Sequence, residues 1–276
     1  MTGAILVAAG KGTRMGTAHK KPFLDLLGMP VLAYALKAFE QAPSIHQVVV
    51  VVHPGDEAFC RKHVVERFGF EKVLRIVPGG ESRQDSVKAG MDVFGKGVEI
   101  LAVHDGARPL VTPALIEKTV SACREEIRLR GCGSVCAAVP VKDTLRMARP
   151  DESPEAVRSG KLSEHCIYSD CTLDRRLLWA VQTPQVFDRA LLVRAHAQAA
   201  CEGFSGTDDT LLAERLGVPA RLVHGEYTNI KITTREDLLL ARLLLEEATG
   251  CPHADPGLSG VHPLQKRERG EADDQT

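Results

Sequence analysis

The run from Gln47 to Val52, five of whose six residues are valine, restricts the fold more than any other feature of the sequence. An unbroken β-branched run is typical of a strand buried on both faces, and such strands occur in parallel sheets covered by helices on both sides. Similar short apolar runs lie at 4–9, 73–77, 100–103 and 134–139. Segments with helical periodicity separate them, over about 31–39, 57–68, 82–94 and 112–130. This alternation predicts an α/β fold with a mainly parallel, twisted sheet and right-handed crossovers.

The regular alternation stops near Met147. Residues 148–164 are rich in Pro, Ser, Glu, Arg and Gly without apolar periodicity, which predicts a long excursion. The later pattern predicts strands at 167–173, 179–187 and 220–223. It predicts helices at 189–201, from about 207 with Asp208 as the N-cap, and from Thr234 to Leu245. Residues 251–276 are polar and predict a disordered tail after one catalytic domain, 1–250.

Composition excludes several classes of protein. The 35 Lys and Arg nearly balance 36 Asp and Glu, and aromatic residues make up only 4% of the chain, so neither charge nor base stacking favours nucleic-acid binding. No apolar run approaches the ~18 residues of a membrane span. Eight cysteines without CxxC spacing predict reduced thiols. We therefore expect a cytoplasmic protein that binds neither nucleic acid nor membrane.

A glycine-rich, cationic loop follows the first apolar run. It contains Gly10, Gly12 and Gly16, together with cations such as Arg14 and Lys21. Glycines let backbone N–H groups approach a phosphate, and the cations supply compensating charge. The spacing fails as a dinucleotide fingerprint because the third glycine comes one position late, and it fails as a P-loop because a methionine replaces the second glycine. A nucleoside triphosphate site and an ordinary turn with solvated cations both remain open.

Polar clusters follow three other predicted strands, at 78–86, 104–109 and 140–144. In a Rossmann-like sheet the ligand lies beyond the carboxyl ends of the strands, so these clusters are candidates for the site. Helix capping by Ser82 or Asp85 explains the first cluster equally well. A salt-bridged turn between Asp105 and Arg108 is the simpler alternative for the second.

The order of these motifs along the chain is more specific than any single one. It comprises Ala8-Ala-Gly-x-Gly-x-Arg14, Gly79-Gly-x-x-Arg-x-x-Ser86, His104-Asp-Gly-Ala-Arg-Pro109, Asp174-Arg175, Gln182-Thr-Pro-Gln185, Thr207-Asp-Asp209 and Asn229-Ile-Lys231. The set resembles the 2-C-methyl-D-erythritol 4-phosphate cytidylyltransferase family over about residues 3–245. Ribitol-5-phosphate cytidylyltransferases share part of it, but an Asp-Arg pair ahead of Leu-Trp favours the methylerythritol substrate.

The resemblance implies a site for CTP and a polyol phosphate, with Mg²⁺ or another divalent cation held mainly by the CTP phosphates and, in addition, by Asp105. The implied catalytic residues are Arg14, Lys21, Arg175 and Lys231. The implied polyol-binding residues are Asp105, Arg108, Thr144 and Thr183. The implied nucleotide-binding residues are Ala8, Ala9, Gly10, Gly12, Gly80, Glu81 and Ser86. The resemblance also implies a homodimer that exchanges a protruding arm, about 145–178.

The chemistry of such a reaction asks little of the protein beyond alignment and neutralisation of charge. The substrate phosphate, with a second pKa of about 6, is already largely dianionic at neutral pH and attacks the α-phosphorus without a general base. Two other classes remain as alternatives. One is an oxidoreductase with a variant dinucleotide loop, and the other is a sensor that binds nucleotide without turnover.

Overall fold

The computed structural model describes residues 1–10, 21–149 and 168–249. A seven-stranded sheet forms its centre, in the order β11-β7-β10-β6-β1-β4-β5. Every neighbouring pair in it is parallel except the two pairs made by β10, which runs antiparallel to β6 and β7. The predicted α/β class with a mainly parallel sheet is confirmed.

The first half of the chain supplies the parallel part of the sheet. Its strands are β1 (Thr2–Ala8), β4 (Gln47–Val52), β5 (Val73–Pro78), β6 (Ile100–Asp105) and β7 (Ser134–Pro140), with a small hairpin of β2 (Asp25–Leu26) and β3 (Met29–Pro30). Its helices are α1 (Val31–Gln41), α2 (Glu57–Cys60), α3 (Arg83–Met91) and α4 (Pro113–Arg130). The predicted helix at 57–68 is found as α2 and a π-helical continuation, Arg61–Glu66.

The second half adds β8 (Arg146–Arg149), β9 (Tyr168–Thr172), β10 (Trp179–Asp188) and β11 (Arg221–His224). Its helices are α5 (Arg189–Cys201), α6 (Asp209–Arg215) and α7 (Arg235–Thr249). The α6 N-cap is Asp208, as predicted, because its side chain accepts a hydrogen bond from the Leu211 N–H at 2.9 Å. Strand β8 was not predicted. It pairs only with β9, and its described side chains are exposed, so it has no buried face to produce an apolar signal.

Successive side chains of the central strands point to opposite faces of the sheet, and on both faces they are covered by helices. In β4, the side chains of Val48, Val50 and Val52 belong to the core cluster formed with α1 and α4, whereas Val49 and Val51 pack in a second cluster with α3 and α5. All five valines are buried. Two separate cores, one on each face, are what an unbroken apolar strand requires.

The strand order places a topological switch point beside β1. The chain proceeds outward from β1 to β4 and β5 and then crosses to β6 on the other side of β1. Neighbouring crossovers diverge at such a point and leave a crevice at the carboxyl ends of the strands. This crevice positions the candidate site.

Some predictions fall on residues that the structure does not describe. These are the loop residues 11–20, most of the excursion (150–164) and the tail (251–276). Within the described parts of the chain, no helix is both long and apolar enough to cross a membrane. The predicted cytoplasmic location stays a prediction.

Candidate active site

A cavity of about 720 Å³ opens at the switch point, a volume typical of small-molecule sites. It lies at the carboxyl ends of β1, β4, β5 and β6 and reaches the segment before α7. Its lining residues are Val7, Ala8, Ala9, Gly10, Lys21, Pro22, His53, Pro54, Gly79, Gly80, Glu81, Ser82, Arg83, Ser86, Asp105, Ala107 and Lys231. Thus nine of the residues proposed from the sequence, Asp105 among them, come from four separate motifs and line one cavity.

One wall of the cavity is the turn between β5 and α3, which packs closely against the end of β1. A Cβ atom at Gly79 would collide with the Cβ of Ala9, and one at Gly80 would collide with that of Asp85. Only glycine at position 79 therefore allows this turn to approach β1, and both glycines line the cavity with backbone. The Ser86 hydroxyl holds the turn by accepting a hydrogen bond from the Gly80 N–H at 3.2 Å.

Ser82 has the capping role considered above. Its side chain accepts a hydrogen bond from the Asp85 N–H at 3.0 Å, and the Asp85 carboxylate accepts one from the Ser82 N–H at 3.1 Å, forming a capping box. The start of α3 is therefore fixed at the cavity wall.

Asp105, at the end of β6, is the electrostatic centre of the cavity. Its Oδ1 lies 3.4 Å from Arg83 Nε, and its Oδ2 lies 2.9 Å from Lys231 Nζ and 3.6 Å from Arg108 Nε. Burial alone would raise the pKa of this carboxyl, but the surrounding cations hold the pKa well below its ordinary value. The carboxylate is therefore ionised at neutral pH and organises three cations.

Lys231 is held in place by its own segment of chain. The guanidinium of Arg108 donates a hydrogen bond to the Asn229 carbonyl at 2.7 Å, and the Ile232 N–H donates one to the Ala107 carbonyl at 2.8 Å. Arg108 is not among the residues that line the cavity. The predicted salt-bridged pair with Asp105 is present, and Arg108 supports the segment that carries Lys231.

Thr183 is buried and is not among the residues that line the cavity. Its hydroxyl accepts a hydrogen bond from the Asp105 N–H at 3.1 Å and lies 2.9 Å from His104 Nδ1. His104 Nε2 donates to the Arg108 carbonyl at 3.2 Å, which leaves Nδ1 as the acceptor of the Thr183 proton. Burial lowers the pKa of His104 to about 4, consistent with this neutral ring. In this arrangement, Thr183 supports the backbone at Asp105.

Arg175 and Thr144, both predicted to contact substrate, are not brought to the cavity within this chain. Arg175 lies in a 3₁₀ turn, exposed, with Nη1 donating to the Lys142 carbonyl at 2.9 Å. Thr144 is exposed in the connection between β7 and β8. Gly12 and Arg14 lie outside the described residues, so their predicted roles stay predictions.

Arg83 and His53 line the cavity but were not among the predicted site residues. Arg83 is the cation inside the Gly79–Ser86 motif, and its charge beside a Gly-Gly turn at a strand end was the signal available for it. His53 follows directly after β4, at the same edge of the sheet. A search of strand ends for every cation, rather than for known motifs, would have found both residues.

The side chains that could bind a metal ion do not form a metal site by themselves in the described residues. In residues 1–10, 21–149 and 168–249, no group of three or more His, Cys, Asp or Glu is arranged to hold a metal ion. Asp105 was the predicted protein ligand, but both of its oxygens already face cations. A divalent ion at this cavity would need most of its oxygen ligands from a bound polyphosphate.

A doubly wound sheet with a cationic, glycine-walled cavity at its switch point defines an α/β nucleotide-binding protein of the nucleotidyltransferase type. Comparison with known proteins specifies the family. The family model for 2-C-methyl-D-erythritol 4-phosphate cytidylyltransferase matches residues 2–247. This chain therefore belongs to that family.

Individual relatives support the same family assignment. The 2-C-methyl-D-erythritol 4-phosphate cytidylyltransferase of Caldanaerobacter subterraneus is 44% identical over 244 residues, covering 88% of this chain and 98% of the relative. The protein of the same name from Pelotomaculum thermopropionicum is 43% identical over 247 residues, covering 90% and 95%. The crystal structure of 4-diphosphocytidyl-2C-methyl-D-erythritol synthase from Anaerococcus prevotii has a TM-score of 0.72 at 29% identity, covering 89% and 96%. That of the Thermus thermophilus cytidylyltransferase has a TM-score of 0.65 at 30% identity, covering 88% and 98%.

Proposed function

We propose that the protein transfers CMP from CTP to 2-C-methyl-D-erythritol 4-phosphate, releasing pyrophosphate, as a step of non-mevalonate isoprenoid precursor synthesis. The observation that carries this proposal is the cavity itself. One wall is glycine backbone suited to a base, and the lining also includes Lys21, Arg83 and Lys231, of which the last two face an ionised Asp105. Such a cavity has room for a nucleotide and cations for the phosphates of two substrates.

In this reaction, an oxygen of the acceptor phosphate forms a bond to the α-phosphorus of CTP while the bond from that phosphorus to the bridging oxygen of pyrophosphate breaks. The acceptor is already dianionic, so no protein group needs to remove a proton. The protein instead brings two polyanions together and neutralises their charge. We assign Lys21 to the triphosphate because it adjoins the loop after β1, and Lys231 to the acceptor phosphate.

Asp105 has two tasks in this scheme. Its Oδ2 fixes the Lys231 ammonium at 2.9 Å, which leaves the other N–H bonds of that ammonium directed elsewhere. Its position at the end of β6, beside Ala107, also places a strong acceptor where a polyol hydroxyl would bind. A Mg²⁺ ion would enter with the CTP phosphates, where it would offset their charge.

Arm exchange in a homodimer would account for the location of Arg175. In the described residues, its own chain holds Arg175 away from the cavity, as noted above, while large apolar side chains around it are exposed. Leu177 is 79% exposed and Met147 is 50% exposed, and Leu145 and Val181 are also exposed. Apolar surface of this kind marks protein interfaces. We propose that a second copy covers it and that the exchanged arm brings Arg175 and Thr144 to the partner's cavity.

The function is tested by measuring pyrophosphate release in the presence of Mg²⁺. With CTP and 2-C-methyl-D-erythritol 4-phosphate together, we expect release, and with CTP alone, none. Release with ribitol 5-phosphate but not with methylerythritol phosphate would transfer the assignment to ribitol-5-phosphate cytidylyltransferase. Tight CTP binding without release for either acceptor would indicate a nucleotide sensor instead.

A further inference from the structure

A chain of alternating charges runs from the start of α6 to the cavity. Arg83 connects Asp209 with Asp105, because its Nη1 lies 2.6 Å from Asp209 Oδ2 while its Nε lies 3.4 Å from Asp105 Oδ1. Asp209 is the first residue of α6 and is 126 positions from Arg83 in sequence. It does not line the cavity.

Asp209 is itself rigidly held. Only 1% of the residue is exposed, and its Oδ1 accepts a hydrogen bond from His196 Nε2, on α5, at 3.0 Å. Its backbone N–H donates to Gln185 Oε1, on β10, at 3.2 Å. Burial alone would raise the pKa of Asp209, but the His196 hydrogen bond and the Arg83 charge lower the pKa below its ordinary value. The carboxylate is therefore ionised at neutral pH.

The planar guanidinium of Arg83 links the position of Asp209 to the orientation of Asp105. The group is planar, so fixing Nη1 on Asp209 also fixes the direction in which Nε points. Nε faces Oδ1 of Asp105, and this contact leaves Oδ2 to the Lys231 ammonium. Without a carboxylate at 209, the guanidinium is free to turn into the cavity, and the Asp105 carboxylate loses the contact that orients it.

We propose that Asp209, supported by His196, is a positioning residue for the acceptor-phosphate half of the site. It acts through Arg83 on Asp105 and so sets where Lys231 presents its charge. The inference rests on the proposed function, and it adds a residue outside the cavity to the machinery.

The first test is Asp209→Asn, which preserves size and removes charge. We expect kcat/KM for methylerythritol phosphate to fall about tenfold, the factor that loss of one charge-assisted hydrogen bond corresponds to. The KM for CTP should change less than about twofold. Asp188→Ala is the matched control, because Asp188 caps the neighbouring helix α5 through the Leu191 N–H but has no contact with Arg83. It should lower stability and leave kinetics unchanged.

A double-mutant cycle separates positioning from a general structural effect. In an Asp105→Asn background, Asp209→Asn should cost much less than it does in the wild type, because the group it orients is already altered. Equal costs in both backgrounds would overturn the proposal. So would an equal rise in the KM values of both substrates.

A milder pair of variants covers the case in which Asp209→Asn does not fold. His196→Gln retains an N–H donor toward Asp209, whereas His196→Leu does not. We expect the loss of kcat/KM only in the leucine variant, and equal activity in both would contradict the mechanism. Wild-type protein assayed in parallel separates the two claims: absence of turnover there refutes the proposed function, whereas normal turnover with an unaffected Asp209→Asn variant refutes only this inference.

Discussion

Lys231→Met is the change that most directly tests the proposed site. The side chain is 43% exposed, and its ammonium lies 2.9 Å from Asp105 Oδ2 at the edge of the cavity. Methionine retains the length and apolar stem but removes the charge. Because Arg83 and Arg108 still face Asp105, no buried carboxylate is left unpaired, so we expect the free energy of unfolding to change by less than about 1 kcal/mol.

The kinetic effect should be much larger. Two unit charges about 4 Å apart attract by roughly 4 kcal/mol at an effective dielectric constant near 20. The partial exposure of Lys231 increases screening by water, and we reduce this figure to about 2.7 kcal/mol. That corresponds to a fall of about a hundredfold in kcat/KM for methylerythritol phosphate.

The assay is pyrophosphate release at saturating CTP with varied acceptor, combined with urea unfolding of the same preparations. Lys118→Met is a matched control, because Lys118 Nζ also makes a 2.9 Å hydrogen bond, to the His224 carbonyl, but does not line the cavity. The control should retain wild-type kcat/KM. A Lys231→Met variant within threefold of wild type would refute the assignment of Lys231 to the acceptor phosphate, and so would a loss explained by unfolding.

Three further predictions concern stability, nucleotide binding and assembly. Burial lowers the pKa of His104 from 6.5 to about 4, so the unfolded chain binds the proton more readily than the folded protein does. In urea unfolding, the contribution of His104 to the free energy of unfolding should be complete above pH 6.5 and fall by up to about 3 kcal/mol toward pH 4. His104→Gln should remove most of this pH dependence. Gly79→Ala places a methyl group against Ala9 and should weaken CTP binding at least about tenfold in calorimetry, and unchanged affinity would contradict the close packing of the turn. If a second copy covers Leu177, Leu177→Asp should shift the mass in light scattering from dimer to monomer, whereas Leu129→Asp, at another exposed leucine, should not.

Much of the fold followed from the sequence because its signals are local. The valines of β4 predict a strand buried on both faces, and each face of that strand packs in its own core. The cap of α6 at Asp208 was likewise predictable, because capping depends on a few adjacent residues. The direction of β10 was not predictable, since an apolar strand pattern is the same for parallel and antiparallel neighbours.

Some residues of the site were likewise predictable from the sequence, and others were not. Residues at the ends of β1, β5 and β6 were predicted together because parallel strands bring their carboxyl ends to one edge. The contact between Arg83 and Asp209 could not be predicted, because it joins residues 126 positions apart and depends on how α6 packs. Thr183 was predicted as a substrate contact from resemblance alone. In the structure its hydroxyl is used within the protein, by the Asp105 N–H and the His104 ring.

The antiparallel strand β10 gives the site a property that a wholly parallel sheet would lack. It lies between β6 and β7, so its Thr183 reaches the backbone of Asp105, while the Thr183 carbonyl accepts a hydrogen bond from Asn229 Nδ2 at 2.8 Å. The strand therefore fixes both members of the Asp105–Lys231 pair, one at the end of β6 and the other two residues beyond Asn229. Since Thr183 makes both contacts, a shift of β10 would disturb the Asp105 carboxylate and the segment that carries Lys231 together.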